Sequence, residues 1–270
     1  MIAFAGNSLL CRLALKQTEI DAATFTSIRI LSGAFALWLI AKTRKVSRRE
    51  TGNWPSALAL FAYAAAFSFA YLSLSAGTGA LLLFGAVQAT MILWGLQKGE
   101  RLRLVQLVGL ALALSGLVAL LFPGLSAPPL GGSILMLGAG VAWGIYSLRG
   151  RSAGDPVTAT AGNFLRAVPL AAILSIALLA RSRLDWAGIG YAVISGSIAS
   201  GVGYVVWYAA LPSLKAASAA TVQLSVPVLA AAGGILLLGE PITLRFLLAT
   251  VAVLGGIALV VLDPRRTRSP

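Results

Sequence analysis

The chain has 270 residues, of which 59% are hydrophobic and only 11% charged, with a mean hydropathy of +0.90. A soluble core of this size absorbs less apolar surface than that. One cysteine, Cys11, and no histidine exclude an intramolecular disulfide, His/Cys metal sites and Ser-His-Asp or Cys-His chemistry. The net charge of +13 invites a nucleic-acid reading, which the placement of the charges opposes.

A span of about 20 apolar residues crosses a hydrocarbon core about 30 Å thick. Apolar runs between charges predict ten helices, near 1–16, 22–41, 54–74, 78–97, 104–122, 130–148, 157–180, 186–211, 216–238 and 243–262. The expected fold class is therefore an all-α polytopic membrane protein. The first run is short, with 11 residues before Arg12 against about 19 before Arg149 in the sixth, so natural residues are expected to precede Met1. No basic n-region and small-residue cleavage site follow Met1, and no cleavable signal peptide is expected.

In chain order, the first helix carries Asn7 and Ser8, and the second carries Arg29 about seven residues in. An arginine at that depth costs on the order of 2.5–3.5 kcal/mol even on a lenient insertion scale. It must snorkel, bond neighbouring carbonyls or attract a substrate carboxylate. In the third helix Tyr63, Phe67 and Tyr71 recur every four residues on one face. The fourth places Gln88 centrally with Phe84 and Met91, and ends at Gly99-Glu100. Trp143 and Tyr146 stand three apart in the sixth, and Asn163 and Arg166 lie in the seventh. The eighth opens its "SGSIASGVGY" with small residues suited to close helix approach, and brings Tyr204, Trp207 and Tyr208. In the ninth, Gln223 and Ser225 flank Pro227, which removes a helical hydrogen bond and suits either a gate or a fixed kink. Gly239-Glu240-Pro241 then opens the tenth, with Pro241 expected at its first helical position. Buried amides and aromatic stripes serve helix packing as readily as ligand contact, and both readings stay open.

Fourteen basic residues fall in the even-to-odd loops and the C-terminal tail, and five on the other face (Arg12, Lys16, Arg181, Arg183 and Arg245). The positive-inside rule then puts both termini in the cytoplasm, with the basic excess facing anionic lipid headgroups instead of nucleic acid.

The segment "LQKGERLRLVQLVGLALALSG" from Leu96 returns 140 residues later as "LLLGEPITLRFLLATVAVLGG" from Leu236. Gly99/Gly239, Glu100/Glu240 and Gly116/Gly256 coincide without a gap. A unit of five helices written twice enters the membrane in opposite senses, the pattern of alternating-access carriers with a midplane site. The expected units are 1–125 and 126–270, each of five helices, around a central cavity.

These residues resemble the drug/metabolite transporter superfamily in its ten-helix EamA-type form. The likeness rests on the small-residue openings of helices four and nine, both Gly-Glu pairs, Gly116, Gly255-Gly256 and Pro227. Val87-Gln88 replaces the proline usual in the first repeat. The "FGAVQATMI" stretch and general layout are most similar to YddG-type amino-acid exporters. The resemblance implies a basket-like bundle in a bacterial inner membrane that exports aromatic and other neutral amino acids or similar metabolites.

The expected substrate contacts are Gln88, Trp143, Tyr71, Phe67 and Tyr146, with Asn7, Tyr204, Gln223 and Ser225. Pro227, Glu100, Glu240, Arg29 and Arg166 are expected to gate or support. With no Asp or Glu inside any predicted span, transport is expected to be facilitative, without obligatory proton coupling. The same absence leaves general acid–base catalysis without a candidate, so no enzyme is expected. No cofactor or metal is expected either. The partners expected are a small-molecule substrate and membrane lipids, with the chain a monomer or a weak homo-oligomer. A carrier of phosphorylated or nucleotide-linked metabolites would want paired deep basic residues, and only Arg29 and Arg166 qualify. A channel or scaffold without a substrate cycle is the remaining alternative.

Overall fold

The computed structural model describes residues 1–43, 52–99, 102–122, 124, 127–150, 155–210, 223 and 225–261. Among these the chain is helical and contains no strand. Its helices are α1 (Ile2–Gln17), α2 (Ala22–Thr43), α3 (Trp54–Ala70), α4 (Ala76–Gln97), α5 (Leu104–Leu121), α6 (Leu130–Gly150) and α7 (Pro156–Ala177). α8 (Trp186–Ile194) continues through a π-helical stretch (Ser195–Val202) into α9 (Gly203–Ala210), and α10 (Ser225–Leu238) and α11 (Leu244–Val261) follow. Seven helices are long and apolar enough to cross a bilayer, α8 through α9 counting as one, and α3 and α10 are shorter apolar helices. It is a multi-pass membrane protein.

Side-chain caps fix where several helices begin. Asn53, Ser75, Asp155 and Asp185 each accept the backbone N–H three residues on, starting α3, α4, α7 and α8. Thr243 does the same for α11 through the Phe246 N–H. The expected third helix, drawn to residue 74, instead ends at Ala70, because the chain must turn before Ser75 can cap α4. The expected ninth helix is described only from Ser225, apart from Gln223, and the small run 216–220 lies outside the described residues.

Loops sort onto two ends of the bundle. At one end Asp21 accepts the Arg183 N–H, Arg245 donates to the Phe122 carbonyl, and Glu240 accepts the Ala76 N–H. At the other, Arg149 donates to Ser56 and Asn53, while Asn163 accepts the Asn53 N–H. The packing pairs recur in twofold fashion. α2 lies on α7, α5 on α11 and α4 on α10, while the contact of α3 with α6 has its counterpart in that of α1 with α8 and the π-helical stretch.

The repeated glycines have distinct reasons. Gly99 and Gly239 have φ of +91° and +62°, left-handed positions that close α4 and α10 and that L side chains rarely adopt. Gly256 sits so close to α5 that a β-carbon would strike the Gly109 carbonyl, and Gly109 is pressed equally against Gly256. Gly116 packs against Ala252 and Val253 on the same crossing.

Candidate functional site

Aromatic rings from α1, α3, α6 and α9 converge inside the bundle. Trp143 is the hub, with ring centroids 4.8 Å from Tyr63, 4.9 Å from Tyr204, 5.5 Å from Tyr146 and 6.1 Å from Phe4. Phe67 continues the cluster from Tyr63 toward Tyr71. Such tilted and edge-on pairs each contribute about 0.5–1.5 kcal/mol beyond simple burial. The rings close over a cavity of about 10 Å³, lined by Phe4, Asn7, Tyr63, Phe67, Phe84 and Trp143 among others. That is room for one water-sized body.

A polar wall completes the cluster. Asn7 donates to Ser200 Oγ at 3.1 Å and accepts from Ser195 Oγ at 2.6 Å. Ser195 and Ser200 belong to the π-helical stretch, whose i to i+5 period sets residues five apart on one face. An α-helix would turn one of the two hydroxyls away from Asn7. The stretch also lies so close to α2 that a β-carbon on Gly196 would strike the Arg29 carbonyl. The small residues were legible in sequence as a close-approach surface, but the wider helix was not.

Arg29 is 2% exposed and reaches into this wall from α2. Its Nε donates to Ser200 Oγ at 3.3 Å and its Nη2 to the Tyr63 hydroxyl at 2.9 Å. The guanidinium stands 4.9 Å from the Phe67 ring centre and 5.2 Å from that of Tyr63, within cation–π range. Its Nη1 has no hydrogen-bond partner, and among the described residues it has no carboxylate partner. Tyr204 belongs to the same cluster, its hydroxyl near Tyr63 without a well-formed hydrogen bond.

One end of the bundle carries a latch. Glu240 Oε1 accepts from Arg12 Nε at 3.1 Å, and Oε2 accepts from the Ala76 N–H at 2.7 Å, at the start of α4. Arg12 also donates to the Tyr71 carbonyl at 2.8 Å, and Lys16 to that of Leu238 at 3.3 Å. α1, the α3–α4 turn and the α10–α11 turn are thereby tied together. A crevice of about 200 Å³ opens above the latch, lined by Ser73, Thr78, Ala231, Glu240, Thr243 and Phe246 among others. Tyr71 connects the levels, its carbonyl bound to Arg12 and its ring 4.8 Å from that of Phe67.

The sequence-predicted residues divide accordingly. Asn7, Arg29, Phe67, Trp143, Tyr146 and Tyr204 come together, and Phe4, Tyr63, Ser195 and Ser200 join them. Tyr146 sits at the edge, its hydroxyl directed to Asn163 and Thr160. Tyr71 is fully buried against Gly79 and donates to the Ala76 carbonyl, filling the start of α4. Gln88, expected to face the centre, instead lines a narrow cleft between α4, α5 and α11 with Gly85, Ala113 and Val253. One helical step separates that face from Phe84, which does reach the aromatic cavity. Arg166 is half-buried and donates to the Gly162 carbonyl of its own helix.

Pro241 is not a first helical residue, since α11 starts at Leu244, and Glu240 serves the start of α4 instead of its own helix. Glu100 lies outside the described residues, as do the residues 211–222 and 224 where a kink at Pro227 would be read. Pro227 itself is buried, and Gln223 and Ser225 are half-buried. Arg12, counted in sequence only as a charge beyond the membrane, ties α1 to the α10–α11 turn through Glu240. The sequence held no hint of this, because the contact joins residues 228 apart.

Comparison with known proteins agrees with this architecture. A family model described as the EamA-like transporter family matches residues 130–262. An uncharacterized transporter of Archaeoglobus fulgidus is 30% identical over 192 residues, covering 70% of this chain and 68% of its own. The chain belongs to the EamA-like transporter family. An uncharacterized protein of Pseudomonas aeruginosa is 60% identical over all 270 residues, spanning 94% of that protein. The threonine/homoserine exporter RhtA of Escherichia coli K12 is 33% identical over 162 residues, 57% of this EamA-like chain and 54% of the exporter. A protein of known crystal structure shares the fold, with a TM-score of 0.67 at 21% identity over 99% of this chain and 98% of that one.

Proposed function

We propose that this protein is an alternating-access exporter of neutral amino acids, aromatic ones included, in a bacterial inner membrane. Its two halves act as inverted five-helix repeats, a reading supported by the 140-residue sequence repeat and the twofold recurrence of helix contacts. The basic excess on one set of loops supports cytoplasmic termini, which puts the Glu240 latch and its crevice at the outer end.

The observation that carries the reading is a closed aromatic cage drawn from both halves, lying below a latch and an open crevice. Phe4 and Phe67 come from the first half, Trp143 and Tyr204 from the second. A cavity of about 10 Å³ cannot hold an amino acid, so the rings must part for a substrate to enter. Breaking the latch frees α1 from the α10–α11 turn on the outer side. Opening at the other end would part the same rings toward the cytoplasm. Alternation between the two is transport.

Among the described residues no carboxylate reaches the cage, which supports facilitated movement down the substrate gradient. Gln88 and Arg166 have supporting roles in this scheme, holding the α4–α5–α11 packing and α7 respectively.

The test is counterflow in liposomes with no ion gradient. Internal unlabelled phenylalanine, threonine or homoserine should drive saturable entry of the labelled compound, and Trp143→Ala should reduce it at least tenfold. Flux that needs a pH gradient would refute the facilitative mechanism, and no flux of any amino acid would refute the substrate class.

A further inference from the structure

Arg29 spends its hydrogen bonds unevenly. Nε and Nη2 are occupied by Ser200 and Tyr63, and these two bonds, with the flanking rings of Tyr63 and Phe67, fix the plane of the guanidinium. Nη1 is buried and unspent. The Tyr204 hydroxyl, buried in the same cluster near that of Tyr63, makes no well-formed hydrogen bond either. Two donors without acceptors, next to a cage wall and an uncompensated positive charge, match one ligand chemistry: a monoanionic group with two adjacent oxygens.

We propose that Arg29 and Tyr204 form the anchor for a substrate carboxylate, and that the site recognises the carboxylate and the apolar side chain but not the α-ammonium group. The second half follows from what surrounds the anchor. A substrate ammonium is held by an acidic partner, a ring of free acceptors or an open aromatic face, and here the faces of Tyr63 and Phe67 already carry the Arg29 guanidinium. Among the described residues no Asp or Glu reaches the cluster, and the Asn7 oxygen is already taken by Ser195. Arg29 moreover opposes a second cation nearby. A doubly charged phosphate would want a second cation beside the first, and the hydrogen bonds and cation–π contacts described for the cluster come from the one guanidinium of Arg29. Monocarboxylates lacking the amino group should therefore be accepted alongside amino acids, a substrate class wider than the names of the relatives suggest.

This inference rests on the carrier reading above, and its test separates the two. The unmodified protein, purified in detergent, is challenged with L-phenylalanine, 3-phenylpropionate and phenethylamine, each read by ligand-induced thermal shift and by competition in counterflow. 3-Phenylpropionate should compete within about tenfold of L-phenylalanine, and phenethylamine should be at least a hundredfold weaker. Arg29→Lys should keep the order of preference with weaker binding, because it keeps the charge and loses the fork. Arg29→Gln should abolish the preference for the acid over the amine. Phenethylamine binding as well as L-phenylalanine would overturn the anchor and leave the carrier standing. Rejection of 3-phenylpropionate while L-phenylalanine binds would overturn the claim about the ammonium group. Failure of all three would overturn the aromatic amino-acid reading, and the anchor with it.

Discussion

Replacing Glu240 by glutamine keeps the shape of the latch and removes its charge. The carboxylate accepts two hydrogen bonds, from Arg12 Nε at 3.1 Å and from the Ala76 N–H at 2.7 Å, and it is 7% exposed. Glutamine retains one acceptor oxygen, which keeps the Ala76 bond, and turns its amide nitrogen toward Arg12, donor against donor. A hydrogen bond to a charged group contributes about 1.5–3 kcal/mol, and stranding a buried partner raises the cost toward about 3–5 kcal/mol. Arg12 is 14% exposed and keeps the Tyr71 carbonyl, so a loss of about 3 kcal/mol is expected, at the lower end of that range. If these bonds exist only in the closed state, the open state gains about a hundredfold in population. Cys11, the one thiol in the chain and fully buried, is adjacent to Arg12 and reports this directly. Alkylation of Cys11 by a small maleimide should run about a hundredfold faster in Glu240→Gln than in the unchanged protein. Equal labelling rates in the two, with thermal stability lowered, would show that the ion pair is static support and refute the latch.

Other outcomes follow from the same geometry. Gly256→Val would push side-chain carbon into the Gly109 carbonyl across the α5–α11 crossing, and overpacking of this kind costs about 1–3 kcal/mol; a lower unfolding midpoint in SDS titration is expected, and an unchanged one would mean the crossing is loose. Asp21, in the turn between α1 and α2, is partly buried, which alone would raise its pKa. Hydrogen bonds from Thr24, Arg183 and Ala23 outweigh burial and hold it below the usual carboxylate value. Its folded pKa is depressed, so its contribution is complete above the unfolded value of about 3.9 and is lost as pH falls further. Asp21→Asn should therefore flatten the fall in melting temperature below about pH 4, and a fall as steep as in the unchanged protein would place the acid sensitivity elsewhere.

Sequence reading captured what depends on local composition and missed what depends on contacts between distant segments. Apolar runs placed α2, α5 and α11 to within about two residues of their ends, because burial in lipid is a property of the run itself. Gly99 and Gly239 were found as a repeat, and their left-handed backbone explains why the repeat kept them. The stripe Tyr63 and Phe67 was visible at helical spacing, and Trp143 could be placed deep in its helix. What Arg29 faces was not visible, since Ser200 and Tyr63 lie 171 and 34 residues away. The surroundings of Gln88 were not visible for a related reason. A helix hydrophobic all round offers no polar face by which to set its rotation, and α4 is buried on most sides.

The π-helical stretch sets a condition on how this protein can vary. The Asn7 clamp needs Ser195 and Ser200 on one face, and that depends on how many residues lie between them more than on which residues they are. Ile198, 58% exposed, and Val202, 42% exposed, can be exchanged for other apolar residues at little cost. Deleting one residue between the two serines would leave them four apart, a spacing that an ordinary α-helix already holds on one face. The five-residue spacing and the wide turn are thus a matched pair, and neither can change alone without turning a hydroxyl away from Asn7. Along this wall, divergence should show five-apart serines with a π turn or four-apart serines without one, and rarely a mixture.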